Sequence, residues 1–311
     1  MSINFFGFLV SILSGVFLGQ PLIAEDRPHA FSLDAAGRPL VTVNFDHPKL
    51  NFKFLIDTAS SRSSISRSLT FLDNIEVELN WRMKHYSSFG GQNTGVVRIK
   101  EFDLFGRKNE LFGLMPIVGE EEDILTEIPT GIIGQDFLQG NILKILPQKR
   151  DLRILANNST LVRDGWKALR GFRTSTGALA IHATLNKRQV IILFATGSSS
   201  SLISYRSLQL LYPKEKFLSH NRFWYSGKRL LSASRRPKIA LEEHWPLETR
   251  LKKVRLKIEG RNIGQLKPLI TDFDDRDFGH THEIPLVLIG SDDIMTRHLA
   301  LDFRDYQLWY K

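Results

Sequence analysis

Short apolar runs, separated by glycine, proline or charged residues, recur along the chain, and few segments keep the 3.6-residue period of an amphipathic helix. The runs at residues 39–45 and 51–56 predict a β-hairpin whose second strand ends at Asp57. The runs at residues 177–185 and 189–194 predict a second hairpin, which ends at Ala195. The pattern therefore predicts an all-β fold.

The segments around these two strand ends read as the same phrase. FLIDTASSRSSIS (54–66) and ILFATGSSSSLIS (192–204) align with an alanine in place of the aspartate. A second pair, EIPTGIIGQDFL (127–138) and EIPLVLIGSDDI (283–294), follows in the same order. Matches that recur in the same order indicate an internal repeat. We therefore expect two homologous lobes, the first over residues 25–160 and the second over residues 161–311.

The chain begins with an apolar stretch over residues 5–19, followed by Pro21 and by Ala24 ahead of two acidic residues. This arrangement predicts a secretory signal peptide over residues 1–24, with cleavage near Ala24. An uncleaved membrane anchor is the alternative. The expected location of the rest of the chain is the periplasm or the extracellular space, with tethering by the N-terminal segment under the alternative.

The chain contains no cysteine, which excludes disulfide bonds, thiol catalysis and cysteine-ligated metals. Its formal net charge is +9, with basic segments at residues 235–238 and 250–257. A solvated strand face is the favoured interpretation of these segments, and contact with an anionic envelope surface is the alternative. Because phosphate-loop, dinucleotide and nucleic-acid motifs are missing from the sequence, we predict no cofactor and no nucleic-acid partner. An acidic cluster near His280 and His282 has the composition of a divalent-cation site, but a solvated loop is the favoured interpretation, so we predict no metal. The acidic residues are Asp272, Asp274, Asp275 and Asp277.

The two repeated phrases resemble the signature of the retropepsin and pepsin-like aspartic peptidases. In that family an apolar strand ends in Asp-Thr-Gly/Ala-Ser, which here is residues 57–60, and about 80 residues later come two apolar residues, Gly, any residue and Asp, which here are residues 132–136. The resemblance implies a bilobal acid protease fold, in which two β-barrel-like lobes flank a central cleft for a peptide or protein substrate.

The resemblance also implies roles for individual residues. Asp57 would be catalytic, and Ala195 stands at the position of the second aspartate. A flap hairpin would lie over residues 85–97 and close on substrate. The residues that would support the two loops are Thr58, Ser60, Thr196, Gly197 and Ser198, and those that would contact substrate are Tyr86, Phe89, Gly90 and Gly91.

Ala195 departs from the family pattern in a way that bears on activity. Aspartic peptidases use two carboxylates that share one proton, so that one acts as base while the other donates a proton. Alanine can do neither. The favoured interpretation is a catalytically impaired, peptide-binding pseudopeptidase. The alternatives are an active aspartic endopeptidase that gains a second acid by dimerisation or from elsewhere in the chain, and a structural or interaction protein of the envelope.

Overall fold

The computed structural model describes residues 28–45, 51–87, 90–99, 101–105, 107–109, 114–118, 129–213, 231–234, 248–251, 253–271, 273, 275–278 and 283–311. The predicted signal peptide over residues 1–24 and Phe89 lie outside these ranges. Within the described ranges, no helix is long and apolar enough to cross a membrane.

Extended strands dominate the first half of the chain. They are β1 (His29–Ala30), β2 (Ser32–Leu33), β3 (Pro39–Asn44), β4 (Phe52–Ile56), β5 (Ser64–Ser66), β6 (Ile75–Ser87), β7 (Gly90–Ile99), β8 (Phe102–Leu104), β9 (Arg107–Asn109), β10 (Leu114–Val118), β11 (Gly131–Ile133), β12 (Ile142–Leu146) and β13 (Asp151–Leu155). In the described part of this half the helical segments are short, and they are a 3₁₀ turn over Arg67–Leu69, helix α1 (Gln135–Leu138), a 3₁₀ turn over Pro147–Lys149 and helix α2 (Ser159–Arg163).

The second half follows the same plan. Its strands are β14 (Lys167–Arg170), β15 (Phe172–Arg173), β16 (Leu179–Leu185), β17 (Arg188–Phe194), β18 (Leu202–Ser204), β19 (Leu231–Ser234), β20 (Glu248–Leu251), β21 (Val254–Ile258), β22 (Arg261–Leu266), β23 (Leu269–Thr271), β24 (Leu286–Ile289), β25 (Leu299–Asp302) and β26 (Gln307–Tyr310). The helical segments are α3 (Tyr205–Leu211), a 3₁₀ turn over Asp275–Phe278 and α4 (Ser291–Ile294).

Each half builds one large sheet, and the two sheets have equivalent strand orders. The first runs β6-β7-β10-β5-β11-β4-β3-β8-β9, with β2 beside β3, and the second runs β19-β20-β23-β18-β24-β17-β16-β21-β22, with β15 beside β16. In both sheets, the strand that ends at Asp57 or Ala195 pairs in parallel with the strand of the second repeated segment. These pairs are β4 with β11 and β17 with β24. The expected two-lobed, all-β architecture is therefore confirmed.

A third sheet contains strands of both halves. Its order is β1-β13-β12-β25-β26-β14, so that β12 and β25 meet at its centre. Residues 141–155 and 298–310 form two antiparallel hairpins of this sheet, β12–β13 and β25–β26. The first hairpin turns at Pro147, which begins the 3₁₀ turn, and Arg150, which has a φ of 51°. The two lobes are therefore joined by continuous hydrogen bonding.

The core follows the period-2 pattern of the strands. In β21 the residues Val254, Leu256 and Ile258 are buried while Arg255 is exposed. The strands that reach the repeated phrases are buried on both faces, and Ile56 and Ile192 are fully buried. These central strands position the loops that follow them.

Candidate active site

Asp57 and Ala195 begin two equivalent loops directly after β4 and β17. The backbone amide of Asp57 donates to the carbonyl oxygen of Ile133 at 3.0 Å, and that of Ala195 donates to the carbonyl oxygen of Ile289 at 2.9 Å. Both residues are completely buried. The neighbouring strands β11 and β24 therefore fix the position of each loop relative to its sheet.

The two loops are joined by reciprocal hydrogen bonds between their threonines. The amide of Thr58 donates to Oγ1 of Thr196 at 3.1 Å, and the amide of Thr196 donates to Oγ1 of Thr58 at 3.2 Å. Each hydroxyl also donates to a strand of the opposite lobe, Thr58 to the carbonyl of Phe194 and Thr196 to that of Ile56, both at 2.5 Å. This network brings the first and second lobes together at the predicted site.

Gly197 lies directly against the carboxyl group of Asp57. A Cβ atom added at Gly197 would lie 2.4 Å from Cγ and 2.5 Å from Oδ2 of Asp57. On the other side, the amide of Ala59 donates to Oδ1 of Asp57 at 2.9 Å. The carboxyl group is therefore held between its own loop and the loop of the opposite lobe.

Ser60 and Ser198 brace their own loops. Oγ of Ser60 donates to the carbonyl of Arg62 at 2.8 Å, and Oγ of Ser198 donates to that of Ser200 at 2.7 Å. The amides of the two serines donate to the carbonyls of Asp57 and Ala195 at 3.2 and 3.0 Å. The five residues expected to support the loops therefore surround the Asp57 and Ala195 positions.

Asp136 belongs to this framework rather than to the reacting position. Its Oδ1 accepts from the amide and the hydroxyl of Ser63, both at 2.7 Å. Although the residue as a whole is exposed, desolvation of its carboxyl group raises the pKa of Asp136, against hydrogen bonds from Ser63 and the charge of Arg62, which lower it. In the second lobe Asp292 accepts from the amide of Ser201 at 3.0 Å.

Two residues that were not predicted from the sequence support the threonine network through hydrogen bonds. Nε2 of Gln135 donates to the carbonyl of Thr58 at 3.1 Å, and Oγ of Ser291 donates to the carbonyl of Thr196 at 2.6 Å. Gln135 directly follows Gly134, and Ser291 directly follows Gly290, at equivalent places in the second pair of repeated segments. A polar residue at the same place in both copies was the signal that could have revealed them.

The predicted flap coincides with the hairpin of β6 and β7. Tyr86 pairs with Gly91 and Ser87 pairs with Gly90 near its tip. Phe89 lies outside the described residues, and so does the side chain of Tyr86. Contact of Tyr86, Phe89, Gly90 and Gly91 with substrate stays a prediction.

The chemistry available at the joined loops is limited. Asp57 supplies one carboxyl group, and Ala195 offers no group that transfers a proton at the equivalent position. Among the residues that the structure describes, no group of three or more His, Asp or Glu side chains could hold a metal ion.

Comparison with known proteins gives a fold-level match. No protein-family model matches the chain, and no curated protein sequence matches it. A crystal structure of the aspartic proteinase from Irpex lacteus is similar over 91% of this chain and 96% of that one, with a TM-score of 0.53 and 10% sequence identity. The chain therefore has the bilobal, all-β fold of a pepsin-like aspartic proteinase.

Proposed function

We propose that this protein is a pseudopeptidase that binds extended peptides in the cleft between its lobes without hydrolysing them. One observation carries the proposal: Ala195 occupies the position that corresponds to Asp57. The equivalent strand orders and loop hydrogen bonds support an origin of the two lobes by duplication of one unit.

The loss at position 195 is confined to the carboxyl group. Ala195 keeps the backbone bond to its neighbouring strand, and Thr196 keeps every bond that mirrors those of Thr58. Removal of one member of a cooperative catalytic unit costs on the order of 10³ to 10⁶ in rate.

Ala59 supports the same interpretation from the opposite loop. By the correspondence of the two loops, Ala59 is placed relative to residue 195 as Gly197 is placed relative to Asp57. A Cβ atom at Gly197 would collide with the Asp57 carboxyl group. Ala59 has that Cβ, and both Ala59 and Ala195 lie in one buried apolar cluster. By that correspondence, a carboxyl group introduced at residue 195 would be crowded by the methyl group of Ala59.

Peptide binding does not require the second carboxyl group. An extended peptide is held mainly by main-chain hydrogen bonds to strands and by pockets for its alternate side chains. The hairpin of β6 and β7 offers main-chain groups to such a peptide, since β6 stands at the end of the strand order of the first-lobe sheet as described. Binding can therefore persist after the loss of hydrolysis.

The threonine network argues against activity through a symmetric dimer. Two copies of Asp57 could pair only if the Thr58 loop of one chain met the Thr58 loop of another. That contact surface is already taken by the chain's own Thr196 loop. We expect a monomer in size-exclusion chromatography.

The test is digestion of a peptide library between about pH 2 and 7, because a carboxyl pair that shares one proton can titrate with apparent pKa values as low as about 1.5 and 4.7. We expect no cleavage by the natural chain and no change with Asp57→Ala. Ala195→Asp combined with Ala59→Gly should create cleavage with a bell-shaped pH profile, and Ala195→Asp alone should give less. Ala195→Asn with Ala59→Gly is the matched control, since it fills the same space without an acid.

Peptide binding is measured separately, by fluorescence anisotropy of library members on the natural chain. Binding without cleavage supports the proposal. Cleavage by the natural chain that Asp57→Ala abolishes would show an active endopeptidase and overturn it. A natural chain that neither cleaves nor binds peptides would point to the structural or interaction role instead.

A further inference from the structure

The hairpin of β21 and β22 carries a concentration of positive charge that the cleft does not use. Residues 253–267 contain five basic residues and one acidic residue, Glu259. The basic residues are Lys253, Arg255, Lys257, Arg261 and Lys267. Glu259 lies at the turn, where it has a φ of 48°.

Three of these side chains form one stripe on the outer face of β21. Val254, Leu256 and Ile258 point into the core, so that Lys253, Arg255 and Lys257 share the opposite face. Arg255 is exposed and Lys257 is partly exposed. None of the three makes an ion pair with any residue in the described ranges.

Neighbouring strands add no negative charge to this face. Arg255 pairs with Gln265 and Lys257 with Asn262 on β22, and Lys257 pairs with Thr184 on β16. The turn after β16 adds Lys187, because the amide of Arg255 donates to Oδ1 of Asn186 at 2.9 Å. Like charges crowded on one face of a sheet destabilise it.

The location of the charge argues against a purely protective role. Charged side chains on an edge strand prevent a sheet from pairing with another chain. Among the described strands the edge strand is β22, whereas the stripe follows β21, which pairs with β22 along its length and with β16 at Leu256 and Lys257. The stripe is also a sheet face rather than a groove, which suits a broad, flat anionic partner.

We propose that the stripe of Lys253, Arg255 and Lys257 docks the second lobe on a bilayer that contains anionic phospholipids. If the apolar segment at residues 5–19 stays uncleaved, as under the alternative of an N-terminal anchor, the basic stripe is the second membrane signal beside it, and in the cleaved chain the stripe acts alone. The surface potential of anionic lipid attracts each nearby Lys or Arg. This proposal is independent of peptide binding in the cleft.

The experiment measures partition of the full chain onto vesicles by co-sedimentation. The readout is the partition coefficient on phosphatidylglycerol–phosphatidylcholine vesicles divided by that on pure phosphatidylcholine vesicles, which cancels insertion of the N-terminal segment. The triple variant Lys253→Gln, Arg255→Gln, Lys257→Gln should lower this ratio about a hundredfold at low salt, since each charge contributes about fivefold. High salt should lower the ratio of the natural chain as well.

The matched control removes three exposed basic side chains elsewhere, as Lys149→Gln, Arg163→Gln, Lys167→Gln. We expect it to keep the ratio within about threefold of the natural value. An equal fall of the ratio in both triple variants would show that binding depends only on net charge, and it would overturn the proposal. No loss in either would identify a solvated face and also overturn it. Tighter binding to soluble polyglutamate than to the vesicles would assign the stripe to an acidic polymer instead.

Discussion

At the scale of single residues, Gly197 and Asp57 share one tightly filled space between the lobes. The position of Gly197 leaves no room for a side chain, because a Cβ atom there would lie within 3 Å of three atoms of Asp57. Ala59, the counterpart of Gly197, lies in one buried apolar cluster with Ala195 and carries a methyl group. The size of the residue at position 197 is therefore limited by Asp57, whereas the residue at position 59 is not opposed by a carboxyl group.

We predict that Gly197→Ala destabilises the protein by about 1–3 kcal/mol, because Asp57 must move to admit the new methyl group. Asp57→Ala should remove most of this cost, so that a double-mutant cycle gives a coupling energy well above zero. The measurement is the free energy of unfolding in urea. Gly95→Ala is the control, since its Cβ would meet its nearest neighbour at 3.5 Å. Equal effects at both glycines would contradict the proposed contact.

At the scale of elements, the short helices α1 and α4 stabilise the two loops of the site. Each begins after a glycine that packs on a backbone: a Cβ at Gly134 would meet Arg62, and one at Gly290 would meet Ser200, at 2.5 and 2.2 Å. The first helical residue, Gln135 or Ser291, then donates to the carbonyl of a network threonine. The helices thus support the loops although they are only four residues long.

We predict that Ser291→Ala costs about 1–3 kcal/mol, because it leaves the buried carbonyl of Thr196 without this donor. The free energy of unfolding in urea measures the loss. Thr296→Ala, in the turn after the same helix, removes an exposed hydroxyl that donates to the backbone carbonyl of Asp293 at 2.8 Å. That control should change stability by less than about 0.5 kcal/mol. A comparable loss in both variants would rule out a special role for the buried bond.

At the scale of the whole molecule, the shared sheet couples the two lobes. The central strands β12 and β25 come from different halves of the chain, and they pair Leu143 with Leu301. Both leucines are fully buried. Unfolding of one lobe alone would break both the pairing of β12 with β25 and the hydrogen bonds of the threonine network.

We therefore predict a single cooperative unfolding transition in calorimetry, coincident with loss of tryptophan fluorescence. Leu143→Ala should shift the whole transition and lower stability by about 2–5 kcal/mol. Val162→Ala, at a residue that is 59% exposed, serves as the control and should leave the transition in place. Two separate transitions, with only one of them shifted by Leu143→Ala, would show that the lobes unfold independently.

The sequence alone determined the features that depend on neighbours along the chain. Period-2 alternation and turn residues predicted the hairpins that end at Asp57 and Ala195, and the repeated phrases predicted two equivalent halves. The absence of a carboxyl group at Ala195 is likewise a property of the sequence. These features are readable because strand periodicity and turn chemistry are local.

The tertiary structure decided which distant residues meet. Thr58 and Thr196 are 138 positions apart, and their reciprocal bonds exist only because two sheets place their loops back to back. The contact of Gly197 with Asp57 and the donors Gln135 and Ser291 arise in the same way. Close packing between separate strands sets these contacts, and no local pattern of apolar and polar residues contains that information.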